Sequence, residues 1–315
     1  MITILVGTTG QSVFRSDDGG SFFRLSCKGM FEENKIYTLI RHPAKANTVY
    51  AGCDDGIYRS ADRGLSWTLL SSNFDNRHVW SISFTPNDPD IMFAGTGPTA
   101  LFKSTNGGKS WNICQIEAEE RFTDRRLFMR ITKILPHIEN PNVIFLGIER
   151  DGIRRSVDMG KTWDRVESGL TNVDIHDLTI LADGTLLATT EEDIFRSRDD
   201  GDSWNPLNIK AHFPWQYCRG MSYIQNQKDT IFVGIGNGAP GDIGAMYKTE
   251  DAGDSWTPVH LNAQPNSTIW KFTSDGPWML ASSLSGQLFR STDQGQHWCK
   301  LLREFGEIRG LLCFY

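Results

Sequence analysis

Seven short segments of this chain share one five-residue frame, and its polar members are the residues best suited to chemistry. The segments are Lys35-Ile-Tyr-Thr-Leu, His78-Val-Trp-Ser-Ile, Arg130-Ile-Thr-Lys-Ile, Asp174-Ile-His-Asp-Leu, Tyr217-Cys-Arg-Gly-Met, Thr268-Ile-Trp-Lys-Phe and Glu307-Ile-Arg-Gly-Leu. The second and fifth residues are apolar or Cys throughout, as packing requires; the first and third are not. Converging Arg130, Arg219 and Arg309 offer forked donors suited to a carboxylate, sulfate or phosphate. His176, His78 and Tyr217 are of the types that transfer protons near neutral pH. If the segments gather, these three are the catalytic candidates and the arginines hold the anion. Trp80 and Trp270 would stack on a ring, with Lys35, Tyr37, Asp174 and Glu307 completing the binding surface. The same charges could instead pair with one another and plug the opening.

What would gather them is a second repeat, the eight residues Ser-x-Asp-x-Gly-x-Ser/Thr-Trp. It is intact at Ser60–Trp67, Ser156–Trp163 and Ser197–Trp204, and lightly varied at Ser104–Trp111, Thr249–Trp256 and Ser291–Trp298. The copy at Ser16–Phe23 is the most degraded, and successive starts lie 44, 44, 52, 41, 52 and 42 residues apart. A period of about 40–50 residues without helical patterning predicts a propeller, one four-stranded blade per repeat. Asp and Ser side chains can satisfy a turn's backbone groups, Gly supplies a positive φ, and Trp wedges a large apolar ring into the packing. An apolar residue, usually aromatic, then Arg or Lys precede most boxes, as at Ile57-Tyr58-Arg59 and Leu288-Phe289-Arg290, which reads as a strand entering the turn.

These boxes are Asp boxes, and over its whole length the chain resembles an Asp-box (BNR-repeat) β-propeller. The resemblance implies that the boxes lie at the blade edges, away from any active site, so they identify fold rather than activity. Sialidases of this group are six-bladed, with an Arg-Ile-Pro and a Tyr/Glu nucleophile pair, which the chain lacks. Xyloglucan hydrolases resemble two such propellers clasped together, and sortilin-type receptors have ten blades and disulfides. The photosystem II assembly factor is a single seven-bladed propeller, and propeller lyases also have seven blades, with His, Tyr and Arg at the mouth.

The expected fold is therefore all-β: residues 1–315 as a single seven-bladed propeller, its last blade closed by a C-terminal strand, Ile308–Phe314, plus the N-terminal three strands. Such closure removes the edge an open sheet would expose. The loops leading into each inner strand and those joining second to third strands share one face, the mouth face. Three long segments belong to it: Ile113–Met129, Pro206–Gln216 and Gly234–Ala245. Long loops are commonly functional. The run Glu117–Arg130 reads as a solvated loop from which Arg125 and Arg126 could reach over the channel.

Net charge of −6 argues against a nucleic-acid partner held through phosphates, and no run approaches the ~20 apolar residues of a membrane span. No basic leader precedes the first strand, and the six cysteines show no paired spacing, so a cytoplasmic protein with reduced thiols is expected. Gly236-Asn-Gly-Ala-Pro-Gly matches a cofactor fingerprint in letters only, since a strand follows it, and no cofactor is expected. His78, His176 and His212 lack ligand spacing, so no metal is expected. Two readings follow. One is an intracellular lyase or hydrolase acting by acid–base chemistry on a small anionic or carbohydrate-like ligand. The other is a non-catalytic platform, of assembly-factor type, for a protein partner on the same face.

Overall fold

The computed structural model describes residues 2–70, 74, 76–117, 129–224 and 230–315. Among them, 28 strands form seven four-stranded antiparallel sheets. The inner strands are β4 (Ile36–Arg41), β8 (His78–Phe84), β12 (Ile131–Pro136), β16 (Asp177–Ile180), β20 (Tyr217–Tyr223), β24 (Ile269–Asp275) and β28 (Ile308–Phe314). Each packs against the next, and β28 returns to β4, so the sheets form a closed ring of seven blades. The closing blade has the order β28, β1 (Thr3–Thr8), β2 (Val13–Ser16), β3 (Arg24–Leu25), with Leu5 facing Leu312 and Val6 facing Leu311. This is the closure expected from the sequence.

Each box bonds as its residue types dictate. In Ser60–Trp67 the Asp62 Oδ1 accepts the Leu65 and Ser66 amides at 3.0 and 2.9 Å, and the Ser60 Oγ accepts the Gly64 amide at 2.7 Å. Gly64 sits at φ +83°, where a side chain is strained. Trp67 is 4% exposed and donates its Nε1–H to the Ser26 carbonyl at 2.9 Å, tying one blade to the previous one. Trp204 repeats this bond to Val166, whereas Trp163 and Trp256 are only half-buried.

Where the inner strands reach the mouth, six of them carry a bulge, and the extra residue is the third of the sequence frame. Ile36 pairs with Cys53 and Thr38 with Gly52, leaving Tyr37 unpaired. Trp80, Thr132, Trp270 and Arg309 are displaced in the same way, and Arg219 with Gly220 faces Gly234 alone. In the remaining blade β16 starts only at Asp177, and the His176 amide donates to Thr189 at 2.8 Å. Bulges redirect a side chain out of the ladder, and here they aim it at the axis. The opposing second-strand glycine is required too: a Cβ on Gly234 would lie 2.3 Å from the Ile269 carbonyl of the next blade.

Candidate functional site

At the mouth the arginines and tryptophans alternate. The Arg130 Cζ lies 4.0 Å from the Trp80 ring centre, and the Arg219 Cζ lies 4.0 Å from that of Trp270. Arg309 stands between the two indoles, at 5.0 and 5.2 Å. Glu149 completes the circuit. It accepts from Arg130 Nη2 at 2.8 Å and from Arg219 Nη1 and Nη2 at 3.2 and 3.3 Å, so one carboxylate joins two guanidiniums. Burial raises the Glu149 pKa, but Arg219 and Arg130 outweigh it and hold the carboxyl down at about 2.

This circuit changes the roles expected of several residues. Tyr37 stacks on Trp80 with centroids 4.2 Å apart, so it and Arg130 must cover opposite faces of that indole. Trp270 is 4% exposed and covered by Arg219. Neither tryptophan offers a free face on which a ligand's ring could stack. His176 is enclosed: its Nδ1 lies 2.6 Å from the Cys218 carbonyl and its Nε2 3.4 Å from Asp174. Burial first, then the Arg219 charge, lowers its pKa, leaving a neutral imidazole. The Tyr217 hydroxyl accepts from Arg219 at 3.2 Å. His78 packs flat against Tyr37 and lines neither the cleft nor the channel. Lys35 is exposed and its amide donates to Asp54, so it is not part of the mouth lining.

Above the circuit is a cleft of roughly 260 Å³ whose lining includes Arg130, Glu149, Asp174, Glu191, Glu307 and Arg309. Ala239 and Pro240, in the loop between β21 (Ile231–Gly236) and β22 (Gly244–Thr249), form one wall. That loop is a hairpin between antiparallel strands, which removes the cofactor-fingerprint reading on geometry. The Pro206–Gln216 segment contributes nothing to the cleft lining. It carries the short helix Ile209–Ala211 and buries Phe213 against Tyr247 and Trp256, so its length serves packing. His212 is exposed at the end of that helix. Arg125 and Arg126 lie outside the described residues.

The ligand atoms of Glu149, Asp174 and His176 come within 4.8 Å of one another, as a divalent ion would need. Two guanidiniums already occupy Glu149 and one of them presses on His176, so added positive charge there would be repelled. Glu149 itself was missed in the sequence because it lies outside the frame, directly after β13 (Ile144–Ile148). The signal was an acidic residue at the start of a mouth-face hairpin.

Residues 11–142 match the family described as Sortilin, neurotensin receptor 3. A xyloglucanase, Xgh74A of Acetivibrio thermocellus, is 25% identical over 334 aligned positions, covering 85% of this chain and 38% of that protein. The chain spans well under two thirds of the length of the curated relatives it matches. Among solved structures, the GH74 xyloglucanase from Xanthomonas campestris superposes with a TM-score of 0.66 at 22% identity, over 85% of this chain and 45% of that one. YCF48 from Cyanidioschyzon merolae superposes with a TM-score of 0.62 at 15% identity, over 90% of this chain and 95% of that one. YCF48 bound to a D1 peptide gives 0.55 at 16%, over 84% and 85%. The chain is a seven-bladed propeller of the kind found in xyloglucanases and YCF48. At these identities the propeller is shared in fold, with both hydrolases and a peptide-bound protein among its neighbours.

Proposed function

We propose that this propeller is a recognition module that holds a segment of a partner protein across its mouth face without turning it over. The observation that carries this reading is the circuit of Arg130, Trp80, Arg309, Trp270, Arg219 and Glu149, which fills the mouth with the protein's own side chains. Acid–base catalysis needs a proton-transfer group that a substrate can reach. His176 is only 5% exposed, with its Nδ1 held by the Cys218 carbonyl, and Glu149, at about 2, is too acidic to donate a proton near neutrality. What stays open is a shallow cleft rimmed by Arg150, Glu191 and Glu307, where charges of both signs suit a peptide's alternating polar groups. The peptide-bound YCF48 neighbour supports this choice. We place the module in a reducing compartment such as the cytoplasm, since none of its six cysteines is bonded to another.

Glycoside hydrolysis is the second reading. It is favoured by the four carboxylates around the cleft, Glu149, Asp174, Glu191 and Glu307, and by the xyloglucanase relatives. It needs a pair of carboxyl groups, one of them protonated, flanking the bond. The test titrates the folded chain with labelled mixed-charge peptides and with xyloglucan oligosaccharides, reading anisotropy and release of reducing ends. Saturable peptide binding, weakened by Glu191→Arg on the exposed rim, and no sugar release are expected. Sustained release of reducing ends would replace the recognition reading with the hydrolytic one.

A further inference from the structure

On the face opposite the mouth, where the boxes lie, a repeated bond joins one blade to the next. The cation that precedes a box donates to the carbonyl of the fourth box residue in the following blade. Lys103 reaches Met159 at 2.7 Å, Arg155 reaches Asp200 at 2.7 Å, Arg196 reaches Ala252 at 3.1 Å and Arg290 reaches Gly19 at 2.6 Å. Arg15 bonds Arg63 in the same way. The fourth residue is left-handed, with φ of 59° at Met159 and 56° at Ala252, and Gln294 of the sixth blade's box shares that conformation at 58°.

Among the described hydrogen bonds, two of the seven seams lack this bond, those that Arg59 and Lys248 would close. Lys248 instead bonds Glu250, the second residue of its own box, at 2.6 Å. Arg15 shows why a lysine fails there. It too faces an acid at the second box position, Asp17, but its Nε and Nη2 hold that acid while Nη1 crosses to Arg63. An ammonium is a single point on its stem and cannot span both partners.

At the Lys248 seam, between the blades of β20 and β24, a pocket of roughly 300 Å³ stands open, its lining including Ile224, Phe232, Lys248, Glu250, Gln294 and Gln296. The preceding seam shows how a guanidinium sits in such a place. Arg196 Nη1 bonds the Ala252 carbonyl and Asp254 Oδ1, the fourth and sixth residues of that box, at 3.1 and 2.6 Å. Gln294 and Gln296 are the fourth and sixth residues of the box at the open seam.

We propose that this pocket takes an arginine side chain of a partner protein, which closes the seam as the chain's own arginines close others. The guest guanidinium pairs with Glu250 and donates to the Gln296 side-chain oxygen, with the Gln294 carbonyl and its two lone pairs as a further acceptor. Its apolar stem lies along Ile224 and Phe232. The pocket is at the opposite end of the blades from the mouth cleft and does not depend on what that cleft binds.

The experiment records saturation-transfer NMR on the intact protein with N-acetylarginine methylamide, using the citrulline and lysine counterparts as controls. Saturable binding of the arginine probe is expected. Citrulline keeps the shape without the charge and lysine keeps the charge without the fork, so each should bind at least about ten-fold more weakly. Lys248→Arg should abolish binding, because its own guanidinium then spans Glu250 and Gln294, and Glu250→Gln should weaken it about ten-fold. The two side chains are 34% and 63% exposed, so neither change threatens the fold. Citrulline or lysine binding as tightly as arginine overturns the proposal, as does arginine binding unchanged in either variant. Absence of saturable transfer to the arginine probe overturns it as well.

Discussion

Arg219 reaches past a whole blade to hydrogen-bond Glu149, 70 residues earlier in the chain. Arg219 stands on β20 and Glu149 follows β13, with the blade of β16 between them. That blade can be bridged because its inner strand starts late, at Asp177, and leaves room at the mouth.

Glu149→Gln should therefore destabilise the protein by about 3–5 kcal/mol, since it leaves two guanidiniums enclosed without their counter-charge. Denaturant melts of parent and variant check this. A loss below about 1 kcal/mol would mean that the circuit contributes little to closing the ring.

The same carboxylate sets an acid limit. Its folded pKa, about 2, lies below the ordinary 4.5, so its contribution is full above pH 4.5 and lost as pH falls towards 2. The difference corresponds to on the order of 3 kcal/mol. Urea midpoints measured across this window should fall steeply in the parent and much less in Glu149→Gln.

His176 acts at higher pH. Its folded pKa lies below the ordinary 6.5, so stability is full above that value and declines as pH drops beneath it and the unfolded chain takes up the proton first. His176→Asn should flatten the stability profile between about pH 6.5 and 5. Equal slopes in parent and variant would show that the imidazole is not held neutral.

Trp204→Ala should cost about 3–5 kcal/mol, as loss of a buried aromatic usually does. The residue is 2% exposed and also loses its bond to Val166. Peptide binding by the surviving folded protein should match the parent, because the box lies at the opposite end of the blades from the cleft. Loss of binding in step with stability loss alone is expected; loss of binding in fully folded protein would contradict that geography.

Removing residues 307–315 deletes β28, including the partners of Ile4, Leu5 and Val6. The closing blade would then present a bare edge on β1, and size-exclusion chromatography should show aggregates in place of a monomer. A monomeric truncation with an unchanged Tm would be incompatible with the pairing of β1 and β28.

The propeller was legible because both of its repeats have a local cause. Asp62 bonds amides three and four residues on, so the box carries its meaning within eight letters. The five-residue frame likewise gave the inner strands to within three residues of their observed starts, the latest being Asp177 against Asp174. The filling of the mouth was not legible. Strand alternation alone sends the fourth frame residue away from the side of the third, yet Trp80 and Arg219 share a channel lining with Asp177 and Lys271, which are fourth residues. For Lys271 the bulge in β24 permits this and for Asp177 the late start of β16 does, and both are relations between strands that neither strand's letters contain. The partner of the arginines was hidden for a similar reason, since Glu149 belongs to a hairpin tip rather than to any inner strand.

That bulge separates two tasks along one strand. Ile36, Val79, Ile131 and Ile269 pack on a glycine of the neighbouring blade, while the residue after each of them leaves the ladder. Positions 37, 80, 270 and 309 can thus change without breaking a ladder bond, whereas Thr132 and His176 bond the Ile175 and Cys218 carbonyls of the next blade and Arg219 holds Glu149. A combinatorial library confined to those four codons would vary what the pore says and keep the propeller that says it, giving evolution or an engineer a small, addressable panel on a fixed frame.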